Sequence, residues 1–571
     1  VTDEQTVEGG LDEPTELEPE QGSLALAAPQ DSHDRAEWEA AAAAVLRKAR
    51  RLSDDDADEL VWDRLTRTTL DGIGITPLGT PDLLDGLTTG GRPTRAGAWD
   101  VRAHLAVTDP GTDNEALLAD LEGGATSLWL EAGERTDWGV LLSGVLLDLA
   151  PVVLQTSESG ARAFLDYAAG RDLHPHTNLG LDARVATRDL AEHAWQAGVR
   201  VFVVDATEVH DQGASDVQEL AHSLAVGAAY LRTLTGAGLD LDEAARIVEF
   251  RYAATDDQFT TIAKLRAARR LWARVLELSG TSVRDQHQHA VTSRPMMSKY
   301  DPYVNMLRTT VAAFAAGVGG ADAVTVLPFD TPLGRPDALG RRIARNTSHL
   351  LVEESHVAVV SDPAGGAYAV EKLTDDLALA AWELFGRLEE GADLAPLVEA
   401  TVAERDRLVA TRRLPLTGLS EFPHLSESLP ERPAPPESRE VRRYGAAYEA
   451  LRDDPADQRV FLATMGTVAA HTARATFATN LLAAGGIGVD VAGPTETADD
   501  LVAAYAGQPV VCLAGSDGAY DAWADEAAAA LRAAGAQWVV IAGKPRDRVD
   551  DSAAVGVDAL AFLRRTREKL A

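Results

Sequence analysis

RVFLATMGTVAAHTARATFATNLLAAGGIGVDV, residues Arg459 to Val491, decides how the C-terminal part of the chain folds. It opens on an apolar, β-branched run, passes through a glycine into a helical period with Ala and Thr at close-packing positions, and ends in a second apolar run. Strand, loop, helix and strand in that order make a βα unit, and such units build parallel sheets. Ligands of open α/β sheets gather at the carboxyl ends of strands, so the segment Gly466 to Thr472 is where one would sit. It offers Thr467, Val468, Ala469, Ala470, His471 and Thr472, with no carboxylate and no glycine cradle. A lone imidazole without an Asp or Glu to fix its tautomer is a poor metal ligand. His471 is therefore expected to be solvated or to cap the helix.

Further along, VFLAT, GVDVAG, PVVCLAG, WVVIAG and ALAFL read as strands between alanine-rich helices, a five-stranded flavodoxin-like domain over 457–571. It is preceded over 396–456 by helical sequence and the Pro- and Glu-rich connector SLPERPAPPESREV, the best interdomain boundary. Between 97 and 395, strand-like runs alternate with helical patterns. The candidate strands are WDVRAHL, SLWLEA, PVVLQT, RVFVVDA, IVEFRYA, HAVTS, AVTVLPF and HVAVVSD. Strand plus helix repeated about eight times is the requirement of a (β/α)8 TIM-type barrel. An open doubly wound sheet satisfies the same periodicity, which does not report closure. The segment 34–96 combines a helix from Asp34 with the Gly- and Pro-punctuated run LDGIGITPLGTPDLL, suited to an interface or to packing on its own domain. Residues 1–33, acidic and poor in large apolar groups, read as a disordered arm.

With 571 residues the chain exceeds one hydrophobic core, and its formal charge of −36 argues against nucleic acid and anionic membrane as partners. The single cysteine, Cys512, lies in an apolar run and reads as an inert core thiol. With no basic leader and no apolar run long enough to span a bilayer, a cytoplasmic location is expected. DPAGGAYAVE, with Gly365 and Gly366 free to take positive φ, reads as a sharp turn ending a strand. In KLRAARRLWARV, Lys264, Arg266, Arg269, Arg270 and Arg274 read as surface partners for the excess carboxylates. The run QHQH, with His287 and His289 at strand spacing, reads as a solvated loop end, and the sequence contains no nucleophile elbow, P-loop or zinc-finger spacing.

Several of these blocks, with ARNTSHLLVEE and NMLRTTVAAFAAGVGGADAVTVLPFD, resemble the methylmalonyl-CoA mutase family in the same order along the chain. The resemblance implies a barrel followed by a cobalamin-binding-type domain, whose D-x-H-x-x-G loop holds adenosylcobalamin. Aligned on Met465-Gly466, that motif falls on Val468, Ala470 and Ala473, and all three positions are lost. The family's catalytic tyrosine, in P-W-x-x-R-x-Y, corresponds to His104 in AWDVRAH, which keeps Trp99 and Arg102 but has Ala98 for the proline. Its Tyr-His pair reads Val209-His210, its PLYT has Gly79 for the tyrosine, and Arg294, Pro295, Met296 and Met297 replace a glutamine-containing block.

The resemblance therefore implies the small, β-type subunit of a heterodimeric mutase. The homologous large (alpha) subunit would carry adenosylcobalamin and the acyl-CoA site, and this chain no catalytic, cofactor or metal residues. Two alternatives stand beside it: an acyl-CoA mutase with an unusual cobalamin site, and a CoA-ester-binding regulatory module. A new acid–base centre built from His104, His210, Asp205 and Glu208 would require those side chains to meet at the barrel mouth.

Overall fold

The computed structural model describes residues 32–184, 188–434 and 439–571. The acidic arm expected over 1–33 lies outside them except for its last two residues, as do residues 435–438 of the connector. The chain divides into two compact units, Val1–Arg67 with Gly74–Leu78, and Thr68–Ile73 with Gly79–Ala571. In the first, the helix Arg35–Lys48 starts where expected, with Asp34 and Glu37 forming a reciprocal capping box. Ala43, Leu46, Leu52 and Val61 make its small core. Glu39 accepts from the Trp62 indole at 2.7 Å, and the Trp38 and Trp62 rings lie 4.7 Å apart.

The second unit holds a closed barrel of eight parallel strands: β1 Asp100–Ala106, β2 Ser127–Glu131, β3 Val152–Gln155, β4 Asn178–Leu181, β5 Arg200–Asp205, β6 Val248–Ala254, β7 His287–Thr292 and β8 Ala323–Thr325. The strands pair in chain order and β8 closes onto β1 through Ala323↔Asp100 and Val324↔Val101, which settles closure against the open sheet. Seven of the eight strands fall on the apolar runs read from the sequence. The expected strand HVAVVSD is instead a π-helical turn over Leu350–Glu354 followed by turn residues, with Val359 78% exposed. Its place in the ring is taken by β4, NLGL, where Gly180 has φ +67° and a Cβ would meet the Leu154 carbonyl. Only glycine fits that position without strain.

Other local expectations shift for identifiable reasons. After the barrel, Gly391, φ +96°, separates two helices, Tyr368–Glu389 and Ala395–Ala410, so the helical sequence before the connector begins at Ala395. DPAGGAYAVE follows a turn rather than a strand; Gly366 alone takes positive φ, at +78°, and its N–H donates to Glu371 at 3.0 Å. Gly79 sits where an added Cβ would lie 3.0 Å from the Ala369 Cβ, so this glycine packs closely on the helix Tyr368–Glu389.

The C-terminal sheet consists of β9 Val460–Met465, β10 Val489–Val491, β11 Val510–Gly515, β12 Trp538–Ala542 and β13 Asp551–Ala553. All pairs are parallel, in the order β10-β9-β11-β12-β13, the flavodoxin-like arrangement. The fifth strand is Asp551–Ala553, not ALAFL, which opens the helix Ala559–Leu570 capped by Asp558. The Cys512 thiol is buried in β11, and burial pushes its pKa up to about 12, as expected of an inert core group. Barrel and sheet share a core: Tyr300, from the loop after β7, is buried with Tyr448, Val460 and Leu481. The Tyr300 hydroxyl donates to Asp453 at 2.8 Å, under the Arg452 guanidinium 3.9 Å above the ring.

Of the basic side chains on the helix Gln258–Ser279, Lys264 and Arg266 meet carboxylates inside the protein, Arg270 does so half-buried, Arg269 donates to backbone carbonyls and Gln288, and only Arg274 makes the expected surface pair, with Glu277. Lys264, fully buried, donates to Glu219 at 2.6 Å and pairs with Asp216 at 2.9 Å; Arg266 pairs with Asp362 and Glu371, and Arg270 with Asp375. Removing one partner of a buried pair strands the other charge in a low-dielectric interior. Lys264→Ala is accordingly expected to lower the unfolding free energy by about 3–5 kcal/mol, and Arg274→Ala, at the exposed pair with Glu277, by under about 1 kcal/mol. Urea titrations of the two variants check the contrast.

Candidate functional site

Parallel barrels place their ligand sites at the carboxyl ends of the strands, and here that end opens above a bore filled with large polar side chains. Strand alternation turns Arg102 and His104 of β1, Ser127, Trp129 and Glu131 of β2, Glu249 and Arg251 of β6, and His287 and His289 of β7 into two inner layers. In the lower one Arg102 reaches across the barrel to Glu249 at 2.9 Å, neither side chain exposed to solvent. Asp100 places a second carboxylate on Arg102 at 3.1 Å, and His287 lies 3.5 Å from both Glu249 and Asp322.

In the upper layer the Trp129 ring is covered by the Arg251 guanidinium at 4.1 Å and flanked by His104 at 4.3 Å and His289 at 5.4 Å. Arg251 donates to His289 Nδ1 at 3.1 Å, which leaves the imidazole proton on Nε2 for Thr325 Oγ1 at 2.7 Å. Burial, with nearby guanidiniums, holds His287 and His289 well below the usual imidazole range, so both are neutral. The QHQH run is thus inner wall, not a solvated loop end.

His104 and His210 both come from the mouth end but are not brought into one centre. His104 pairs with Glu131 at 3.0 Å. His210, buried in the short helix Thr207–Asp211 beside half-buried Val209, lies 2.7 Å from Ser293 Oγ and 3.4 Å from Glu219. Asp205 is held by Arg251 and Arg439, each at 3.0 Å. Burial pushes its carboxyl up, but the two guanidiniums outweigh that and keep it well below the carboxylate range, leaving no proton to exchange near neutral pH. Exposed Glu208 pairs, among the described residues, with Arg439 at 3.5 Å.

Above these layers lies a cavity of about 610 Å³ lined by His104, Glu131, Arg294, Arg335, Arg341, Arg432, Arg439 and Arg443 with apolar wall residues. Sequence reading missed Trp129, Glu131, Arg251, Arg294 and Arg439 as site residues. The first three were legible as a period of two within β2 and β6; Arg439 belongs to the connector and reaches the mouth only through the tertiary fold.

A family model described as methylmalonyl-CoA mutase matches residues 191–411. The methylmalonyl-CoA mutase small subunit of Streptomyces virginiae is 44% identical, covering 96% of this chain and 98% of that protein. The small subunit of Propionibacterium freudenreichii subsp. shermanii is 36% identical, over 93% and 92%. The chain belongs to the methylmalonyl-CoA mutase family. Methylmalonyl-CoA mutase of Escherichia coli (strain K12) is 34% identical over 37% of this chain and 31% of that protein.

Within that family the cofactor test falls on the mouth of the C-terminal sheet. Val468, Ala470 and Ala473 all lie in the helix Val468–Ala484, which starts directly after Gly466 and Thr467. Their side chains carry no donor atom, so they do not fit the cobalt of adenosylcobalamin. The nearby imidazole, His471, is buried with Nδ1 3.2 Å from the Gly466 carbonyl, so it is not solvated. Among the described residues no group of three or more His, Cys, Asp or Glu is placed to hold a metal ion, and no helix is long and apolar enough to cross a membrane.

Glu131 reports the electrostatics of the cavity. Burial would raise its pKa, yet His104, Arg294 and Arg439 together bring it from 4.5 down to about 2. A carboxyl depressed in the folded state contributes stability above its unfolded pKa and loses it as pH falls through the folded value. Glu131→Gln should therefore cost about 1–3 kcal/mol at pH 7, the deficit shrinking as pH falls from about 4.5 towards 2. Urea titrations of both proteins at pH 7, 4 and 3 measure that convergence.

Proposed function

We propose that this chain is the non-catalytic small (beta) subunit of a heterodimeric, adenosylcobalamin-dependent methylmalonyl-CoA mutase. A homologous large (alpha) subunit then binds the cofactor and the acyl-CoA and interconverts methylmalonyl-CoA and succinyl-CoA; the present chain stabilises the assembly. The observation that carries this reading is Ala470: the position that the family motif assigns to the cobalt-ligating histidine is a methyl group on the first turn of a helix. Two further features support it. His104 stands at the catalytic tyrosine position, tied to Glu131, and the bore below it is occupied by Arg102, Trp129, Glu249 and Arg251. The names of the full-length relatives add a paired large subunit as the natural partner.

A radical rearrangement needs a dry, shaped pocket with a donor aimed at the thioester carbonyl. Ion pairs that hold Arg102 on Glu249 and Arg251 on Asp205 leave little for that task. The domain boundaries proposed on this reading are an interface segment over 34–96, the barrel over 97–395, a connector over 396–456 and a degenerate cobalamin-type domain over 457–571.

The purified chain, incubated with adenosylcobalamin and passed through gel filtration, is expected to retain no cofactor absorbance and to show no isomerisation of methylmalonyl-CoA. Co-expressed with a cobalamin-binding homologue, it should give a one-to-one complex by native mass spectrometry. Turnover by the isolated chain, or failure to form the complex, would refute the assignment.

A further inference from the structure

In the run LDGIG the dipeptide Asp71-Gly72 reverses the chain, Gly72 taking φ +79°. The turn Thr68–Ile73 closes on itself: Thr69 N–H donates to the Ile73 carbonyl at 2.9 Å, Gly72 N–H to the Thr69 carbonyl at 3.0 Å, and Ile73 N–H to Thr69 Oγ1 at 3.1 Å. It belongs to the same compact unit as the barrel. There Asp71 meets the start of the helix Asp216–Gly236. One carboxylate oxygen pairs with the hydroxyl of Ser215, the N-cap residue, and the other accepts the Val217 N–H at 3.3 Å. Ser215 is buried and forms a capping box with Gln218, so the group it offers to Asp71 is fixed in place.

Opposed influences act on the charge of this carboxyl. A helix N-terminus and two donors favour the anion. Burial and the neighbouring Asp216 disfavour it. The cation facing it, Lys264 from the helix Gln258–Ser279, is already shared between Asp216 at 2.9 Å and Glu219 at 2.6 Å. From the connector, Tyr444, its pKa raised by burial, feels Asp216 and Lys264 as well; the Arg405 guanidinium lies 4.7 Å above its ring and donates to the Gly213 carbonyl at 2.7 Å. Burial and the like charge prevail, and the Asp71 pKa is pushed up to about 6.

We propose that Asp71 is a proton-operated latch, which holds the turn Thr68–Ile73 on the start of the helix Asp216–Gly236 more firmly as a neutral acid than as an anion. The neutral acid donates to Ser215 Oγ while its other oxygen still accepts the Val217 N–H, so both contacts survive protonation and no charge is left buried beside Asp216. Detached, the carboxyl returns to its ordinary value of 3.8, so the attached state takes up the proton first. A carboxyl with a raised pKa stabilises the state that raises it as pH falls from the higher value to the lower, so the latch tightens from about pH 6 to about pH 4 and is insensitive to pH above that window. The latch is a property of this chain alone and does not rest on the subunit role assigned above.

Hydrogen exchange of the full chain at pH 7.5 and 5.5, each amide rate divided by its chemical rate, tests it at Ile73 and Val217. Protection of these amides is expected to rise about fourfold from pH 7.5 to 5.5 in the native chain. Asp71→Asn, a neutral isostere, should remove that pH dependence. Asp71→Ala, which leaves the helix start without either contact, should lower protection about tenfold at both pH values. Amides of the helix Ala559–Leu570, in the other domain, should respond to neither substitution. Equal protection at the two pH values in the native chain, the same pH dependence in Asp71→Asn, or unaltered protection in Asp71→Ala would overturn the proposal.

Discussion

The Arg102–Glu249 pair across the barrel is the constraint on which the interior depends. Both groups are wholly removed from water, where an unpaired charge would cost several kcal/mol. The pair is tolerable only because Asp100 and Ser127 occupy the remaining Arg102 donors. Once those charges are fixed, neighbouring groups follow. His287 and His289 must stay neutral beside guanidiniums, and Arg251 above is pressed onto the Trp129 face and towards Asp205. A bore built in this way has no slack for a ligand along its axis, so free volume is displaced to the mouth.

The mouth in turn is shaped by how the C-terminal sheet is attached. Glu449, on the helix leading into the sheet, accepts the Lys299 backbone N–H at 2.7 Å and pairs with Arg443 at 2.6 Å. Tyr300 passes from the same barrel loop into the core of the sheet. The connector is thereby drawn over the mouth, where its Arg439 spans Asp205, Glu208 and Asp211. Packing of one domain thus decides which cations face the cavity of the other.

How much of this was legible depends on where the information resides. Strands rich in Val, Leu and Phe could be read directly, because apolar runs bounded by Gly and Pro leave little else to fold into. β4, NLGL, and β13, DSA, carry too few β-formers and are fixed only by neighbours that need a partner. HVAVVSD failed the other way: it follows the preceding helix into a turn in which Val359 and Val360 stay exposed and only Val357 packs, half-buried, on the core. The inner layers were present as alternate polar residues at 102 and 104, 127, 129 and 131, 249 and 251, and 287 and 289. Such a pattern inside apolar strands signals a charged bore rather than a solvent face. What no local pattern could supply was the pairing of those charges, since Arg102 and Glu249 are brought together only by closure of the ring.

The same distinction between residue identity and backbone decides what remains of the family's cobalamin loop. In the helix Val468–Ala484 successive residues advance about 100° around the axis, so positions 468 and 470 lie about 200° apart and project to nearly opposite sides. An aspartate and a histidine placed there would not meet in the hydrogen bond by which a carboxylate orients a ligating imidazole. The helix begins immediately after Gly466, φ +88°, and its first turn is fastened by the His471 ring against the Gly466 carbonyl. On the reading proposed above, restoring a single imidazole would thus add a side chain without a loop to carry it, and the backbone of this segment would matter as much as its side chains.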